Sequence, residues 1–214
     1  NFTDALLIQY LQSIQFQSIE ELVIGEEQQL HELWWRQNEE SSRKSFYLEY
    51  STLGSLSFFH LLLFLASGYQ RVVVLAEDKA HHLVGLKQQI TTANSITQTL
   101  YNQRFAQILP VDEYLNYTGE SLPSLFSSPL KLSTYENRRA VLSEILQQML
   151  ADSGKTLNAE QFGGDFFAVK CDADSCTQCL ACLNECKMQA LGADQENFSL
   201  TYKAGSCVGC GVCV

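Results

Sequence analysis

Along the first part of the chain the apolar positions switch repeatedly between helical and strand spacing. Ala5, Leu6, Leu7, Tyr10, Leu11 and Ile14 recur at intervals of three and four, the stripe of an amphipathic helix. Ile19 to Ile24 reads as a strand and Glu26 to Trp35 as a second helix. Phe46-Tyr47-Leu48-Glu49-Tyr50 is strand-like and is followed, after Gly54, by a helix from Ser55 to about Ala66. Val72-Val73-Val74-Leu75 is a short β-branched run of the kind buried on both faces of a parallel sheet. A long polar helix over about Lys79 to Tyr101 comes next, then a strand over Phe105 to Val111. Strands alternating with helices predict a parallel sheet with helices on both faces, an α/β domain over residues 1–118.

Residues 118–133 hold two of the three prolines and five serines, and read as a loop. A helix then opens on a capping box, Ser133 with Glu136 three residues on. Its apolar face is Val141, Leu142, Ile145, Leu146, Met149 and Leu150, and Gly154 is its stop signal. Gly163-Gly164 marks a join, so 119–164 is a loop with a connecting helix and 165–214 a separate domain.

That last segment holds all eight cysteines; none occurs before Cys171. A secreted disulfide scaffold usually distributes its cysteines through the body it staples, so this clustering points to another chemistry. Cys176, Cys179, Cys182 and Cys186 form a C-x2-C-x2-C-x3-C run. Cys207, Cys210 and Cys213 repeat its first three positions at an offset of thirty-one residues, with Ser175 falling on Ser206. Cysteines two apart let one tight loop wrap three corners of an iron–sulfur cubane, and the fourth thiolate arrives from elsewhere. In two-cluster ferredoxins the last cysteine of each run ligates the other cluster. Two β-turn-helix copies are therefore expected, with Phe167 to Cys171 and Phe198 to Tyr202 as the strands before the loops. Disulfides fit a reducing compartment poorly. Zinc sites commonly use C-x2-C pairs and match the triple spacing less well.

Residues 165–214 resemble bacterial-type two-cluster ferredoxins, small α+β domains. The resemblance implies one [4Fe-4S] cluster on Cys207, Cys210, Cys213 and Cys186, and a second on Cys176, Cys179 and Cys182. The second cluster's fourth ligand is expected three residues beyond Val214, so the chain reads as truncated. Cys171 falls opposite Tyr202 in the repeat, and is expected to be a small buried thiol rather than a ligand. The family usually has Pro after the fourth cysteine. Here Lys187 follows Cys186, a nearby cation that favours the more negative reduced cluster.

On YLEYSTLGSLSFFHLLLFLASGYQRVVVL, ENRRAVLSEILQQML and FFAVKCDADSCTQCLACLNEC, the whole chain resembles bacterial cytoplasmic iron–sulfur binding proteins that accompany formate dehydrogenases. Its α/β part is similar to the small iron–sulfur subunit of hydrogenases and heterodisulfide reductases. Those relatives carry cysteines there and this chain has none, which implies a scaffold or docking surface.

Apolar residues make up 46% of the chain, enough for a real core. The net charge of −10 argues against nucleic acid and anionic membranes as partners. The longest apolar run, Leu61 to Ala66, is far below the ~18 residues of a membrane span, and a cytoplasmic protein is expected. No G-x-G-x-x-G marks a dinucleotide site. His81-His82 reads as solvated, Glu77-Asp78 as favouring a helix start, and Trp34-Trp35 as one ring in the core and one at the surface. No nucleophile–base pair is defensible, so no catalytic residue is assigned. The expectation is an electron carrier serving a redox enzyme such as a formate dehydrogenase. A non-redox scaffold with a structural metal and an electron-input fragment of a larger oxidoreductase are the alternatives. Six acids against three lysines leave residues 165–214 at −3, which calls for a redox protein partner with a basic docking surface.

Overall fold

The computed structural model describes residues 3–13, 20–37, 44–77, 83–117, 123, 125–126, 129–130, 132, 137–158, 167 and 169–213. It divides into two compact units, Asn1–Leu132 and Ser133–Val214.

The first unit is built on four parallel strands, β1 (Glu21–Gly25), β2 (Ser45–Glu49), β3 (Arg71–Leu75) and β4 (Ala106–Leu109), in the order β2-β1-β3-β4. Register runs Val23 beside Tyr47 and Val73, and Val73 beside Gln107. Every residue of β1 is buried, as are Val72 to Leu75, so both faces of the central strands are covered. On one face Val23, Val73 and Leu75 pack with Leu33 of α2 (Glu27–Arg36) and with Val111 and Tyr114 of α5 (Val111–Asn116). On the other lie α1 (Asp4–Ser13), α3 (Phe58–Ala66) and α4 (Leu83–Tyr101). Alternate strand residues thus serve two helical layers, as the β-branched run at 72–75 predicts.

Helix α3 is buried on every side, and a helix apolar all round is stable only inside. Its one polar member, His60, accepts the Ser57 backbone N–H at Nδ1 (3.1 Å) and meets Asp4 of α1 at Nε2 (3.2 Å). The helix begins at Phe58, capped by Ser57, with a separate 3-10 turn at Leu53–Ser55. Asn94 of α4 clamps β4 through N–H bonds from Phe105 and Ala106 and a bond to the Ala106 carbonyl (3.1, 3.1 and 2.7 Å).

Three details differ from the sequence reading. The strand expected over Phe105 to Val111 stops at Leu109, because Pro110 has no N–H for the ladder and instead caps α5, a helix the pattern did not reveal. Trp34 and Trp35 are both exposed, at 76% and 77%, since Leu33 takes the inward position on α2. The helix over 138–153, α6 (Arg138–Ser153), is capped by Asn137, whose side chain accepts the Ala140 N–H at 2.9 Å. The Ser133–Glu136 capping box, His81-His82, Asp78 and Gly163-Gly164 lie outside the described residues.

The second unit contains α6, α7 (Ala181–Glu185) and an antiparallel hairpin of β5 (Leu191–Asp194) and β6 (Ser199–Tyr202). In α6 Val141, Leu142, Ile145, Leu146 and Met149 are buried, and Gly154 ends it in the left-handed conformation (φ 64°). Asp194 ties the hairpin turn, accepting from the Glu196 N–H (3.0 Å) and the Asn197 side chain (2.7 Å). The strand expected over Phe198 to Tyr202 is present as β6, and β5, which the pattern did not reveal, is its partner. Among the described residues of 167–171 there is no strand, and the second sheet is β5 and β6 alone among the described residues.

Candidate metal centre

The two cysteine loops share a backbone conformation that their side chains disguise. Either side of the middle cysteine, the first loop places Gln178 (φ 54°) and Leu180 (φ 60°) in the left-handed region. The second loop places Gly209 (φ 67°) and Gly211 (φ 74°) there. These are the same positions under the offset of thirty-one residues. Glycine adopts this conformation freely, whereas Gln and Leu do so at a cost of about 1–2 kcal/mol each. The turn is therefore a common feature of both loops and not a consequence of glycine. Successive backbone N–H groups around such a left-handed residue can form an anion-binding concavity.

Leu180 opens α7, whose second residue is Cys182, and Cys186 stands just past the last turn as its C-cap. From there the chain turns back, and Ala190 donates its N–H to Cys186 Sγ at 3.3 Å. Burial pushes the Cys186 thiol up, but N–H groups of Ala190, Leu191, Met188 and Gln189 outweigh it and hold the thiol below its ordinary range. In the first loop the Ala181 N–H, then the Thr177 hydroxyl, lower Cys179 likewise. Both environments favour thiolate, the form that binds metal.

A cavity of about 400 Å³ opens between α7, β5, β6 and the second loop. Cys186, Cys207, Cys210 and Cys213 all line it, among Val169, Met188, Leu191, Val208, Val212 and Tyr202. Three of those cysteines come from the second motif and the fourth from the end of the first. Lys187 also borders the cavity. Cys176, Cys179 and Cys182 are not on it. Among the described residues no three His, Cys, Asp or Glu side chains converge as a single metal ion requires. A single ion needs donors little more than 2 Å from one point. A cubane has its irons at separate corners, so its thiolates line a cavity instead of meeting. The donor set, the room and the apolar walls fit a multi-atom iron–sulfur core on these four cysteines.

Cys171 is exposed, not buried. The turn closed by the Cys176 N–H to the Asp172 carbonyl (2.9 Å) folds it back onto the first loop. A hydrogen bond with the Cys176 thiol, then burial, then neighbouring charge raise its pKa.

The sequence reading missed three participants. Tyr202, at the end of β6, hydrogen-bonds Cys207 and donates to the Phe167 carbonyl. Burial first, then that Cys207 bond, raises its phenol. Phe167 lies so close to the second loop that a Cβ on Gly209 would collide with its ring. Ser143 of α6 meets Gly205 in the 3-10 turn Ala204–Ser206 that delivers Cys207, leaving no room for a side chain there. Only the position of Tyr202, just ahead of the second loop, was a usable signal.

Among its described residues the first unit shows no comparable cluster of side chains. Just past the end of β1, the Glu26 carboxylate accepts the Leu53 N–H at 3.0 Å. No helix among the described residues is long and apolar enough to cross a membrane. No known protein family, curated protein or solved structure matches this chain.

Proposed function

We propose that this chain is an iron–sulfur electron-transfer protein whose second unit is a ferredoxin-like module. One [4Fe-4S] cluster is held by Cys207, Cys210, Cys213 and Cys186, and Cys176, Cys179 and Cys182 supply three thiolates to a second. When bound, such a cluster takes up and releases single electrons. The protein's own part is to present thiolates, to donate N–H bonds to their sulfurs and to shield them from water; each of these sets the potential. The first unit is the docking part, and the partner is a redox enzyme of the kind formate dehydrogenases represent.

The observation that carries the reading is the shared cavity of Cys186 with Cys207, Cys210 and Cys213. These residues lie in two different motifs, and the exchange of a fourth thiolate between motifs is what a two-cluster module requires. The matched left-handed turns in the two loops support it independently.

Anaerobic purification with iron and acid-labile sulfide analysis, followed by dithionite reduction, tests the proposal. Equal iron and sulfide with bleaching on reduction is the expected result. A colourless protein holding zinc, or these cysteines joined in disulfides, would end the electron-transfer reading.

A further inference from the structure

We propose that Trp34 and Trp35, on the outer face of α2, form a docking surface for a protein partner whose contact face presents arginine and lysine. The two rings are 76% and 77% exposed and adjacent, which leaves roughly 300 Å² of indole surface in one place. A patch of that size on a single chain is commonly functional. Tryptophan is also the side chain most enriched among the few that dominate binding energy.

The patch is held ready. Trp35 donates its Nε1–H to His31 Nε2 at 3.0 Å, with the imidazole edge-on at 5.9 Å between centroids. Leu33, wholly buried beside them, fixes the orientation of α2. A partner therefore need not order Trp35 or the helix, which removes part of the entropic cost of association.

Charge selects the partner. Glu27 and Glu32 are exposed on the same helix, and Asp112 and Glu113 open the neighbouring α5. Arg36, the one arginine or lysine on these two helices, is already shared between Glu32 (2.7 Å) and Asp112. Aromatic faces rimmed by carboxylates suit a guanidinium, which stacks on indole and pairs with carboxylate. Nucleic acid and anionic lipid are repelled by the same rim. So is a second copy of this chain, with its net charge of −10. This deepens the reading of the first unit as a docking domain and rests on it for the partner's redox role.

Trp34 and Trp35 are the chain's only tryptophans, so intrinsic fluorescence reports on this surface alone. The 214-residue chain is titrated with a synthetic peptide of alternating arginine and leucine, with a glutamate–leucine peptide as control. Before addition, both indoles should emit as exposed rings and be quenched freely by acrylamide. The arginine peptide should shift the emission and protect the rings, less so as salt rises. By calorimetry, the Trp34→Ala, Trp35→Ala double variant should bind it at least tenfold more weakly. Glu32→Lys, which keeps both rings, should also bind it more weakly and serves if the double variant fails to fold. Rings already shielded in the free chain, equal binding of the glutamate peptide, or unchanged affinity in the variants would overturn the proposal. So would protection by self-association at higher chain concentration, or by anionic vesicles. Iron and sulfide analysis of the same samples reads the cluster separately, so either conclusion can fail without the other.

Discussion

Replacing Cys186 by alanine distinguishes a module that exchanges a thiolate from one in which each motif serves its own cluster. Along the chain Cys186 closes the first motif, but it lines the cavity of Cys207, Cys210 and Cys213. Cys186→Ala should therefore abolish the same cluster signal as Cys207→Ala, and Cys176→Ala should leave that signal in place. The structural cost is small. The Ala190 N–H loses its sulfur acceptor at 3.3 Å, a bond worth about 0.5–1.5 kcal/mol to a thiol and about 1.5–3 kcal/mol to a thiolate, and the side chain is only partly buried. Cluster-free Cys186→Ala should thus unfold within about 3 kcal/mol of the parent chain. Its affinity for iron at this site should fall by at least about 100-fold, since even residues behind the ligands commonly change metal affinity by 10–100-fold. Low-temperature electron paramagnetic resonance of dithionite-reduced samples, with iron and sulfide content, provides the assay. The reasoning is refuted if Cys186→Ala and Cys176→Ala lose one common signal while Cys207→Ala loses another.

Three further outcomes follow from particular contacts. Tyr114→Phe removes a hydroxyl donated at 2.8 Å to the buried Glu21 carboxylate, which keeps Ser45 at 3.0 Å and Arg71 at 3.5 Å; urea unfolding of the first unit should lose about 1–2 kcal/mol. Gly209→Ala meets the Phe167 ring and forces alanine to a φ of 67°, so the second unit should melt earlier by the equivalent of about 1–2 kcal/mol or more, and Phe167→Ala should restore part of that loss. The Asn197 side chain, then backbone N–H groups, hold the Asp194 carboxyl below its ordinary range. Its contribution to the hairpin is present above the ordinary carboxylate range and disappears as pH falls through the lowered value. Protection factors for amide exchange over β5 and β6, which correct for the slower intrinsic exchange in acid, should fall on acidification in the parent chain, and less so in Asp194→Asn.

Much of the first unit could be read from periodicity, because buried parallel strands and amphipathic helices require side-chain patterns that repeat locally. Val72 to Leu75 must be apolar on both sides, and it is. Where a feature depends on a partner distant in sequence, the pattern was silent. Leu191–Asp194 has little strand character of its own and becomes β5 because Ser199–Tyr202 lies alongside. The run to Val111 looks like strand throughout and becomes α5 after Pro110 leaves the ladder. The Trp34–Trp35 pair looked divided between core and surface, and Leu33 alone took the inward position.

The cysteine spacings by themselves determined the two loops and their repeat, because the turn at each x2 step is a local matter of backbone conformation, matched at Gln178 and Gly209 and at Leu180 and Gly211. Only the tertiary structure decided which thiols share a cavity. Cys186 lies closer in sequence to Cys182 than to Cys207, yet the turn after α7 and the hairpin carry it to the second loop. Cys171 shows the converse, since a turn at Asp172 brings an apparently buried strand thiol to the surface beside Cys176. Spacing governs contacts within one turn of chain; contacts across a hairpin depend on how backbone hydrogen bonds are satisfied over the whole unit.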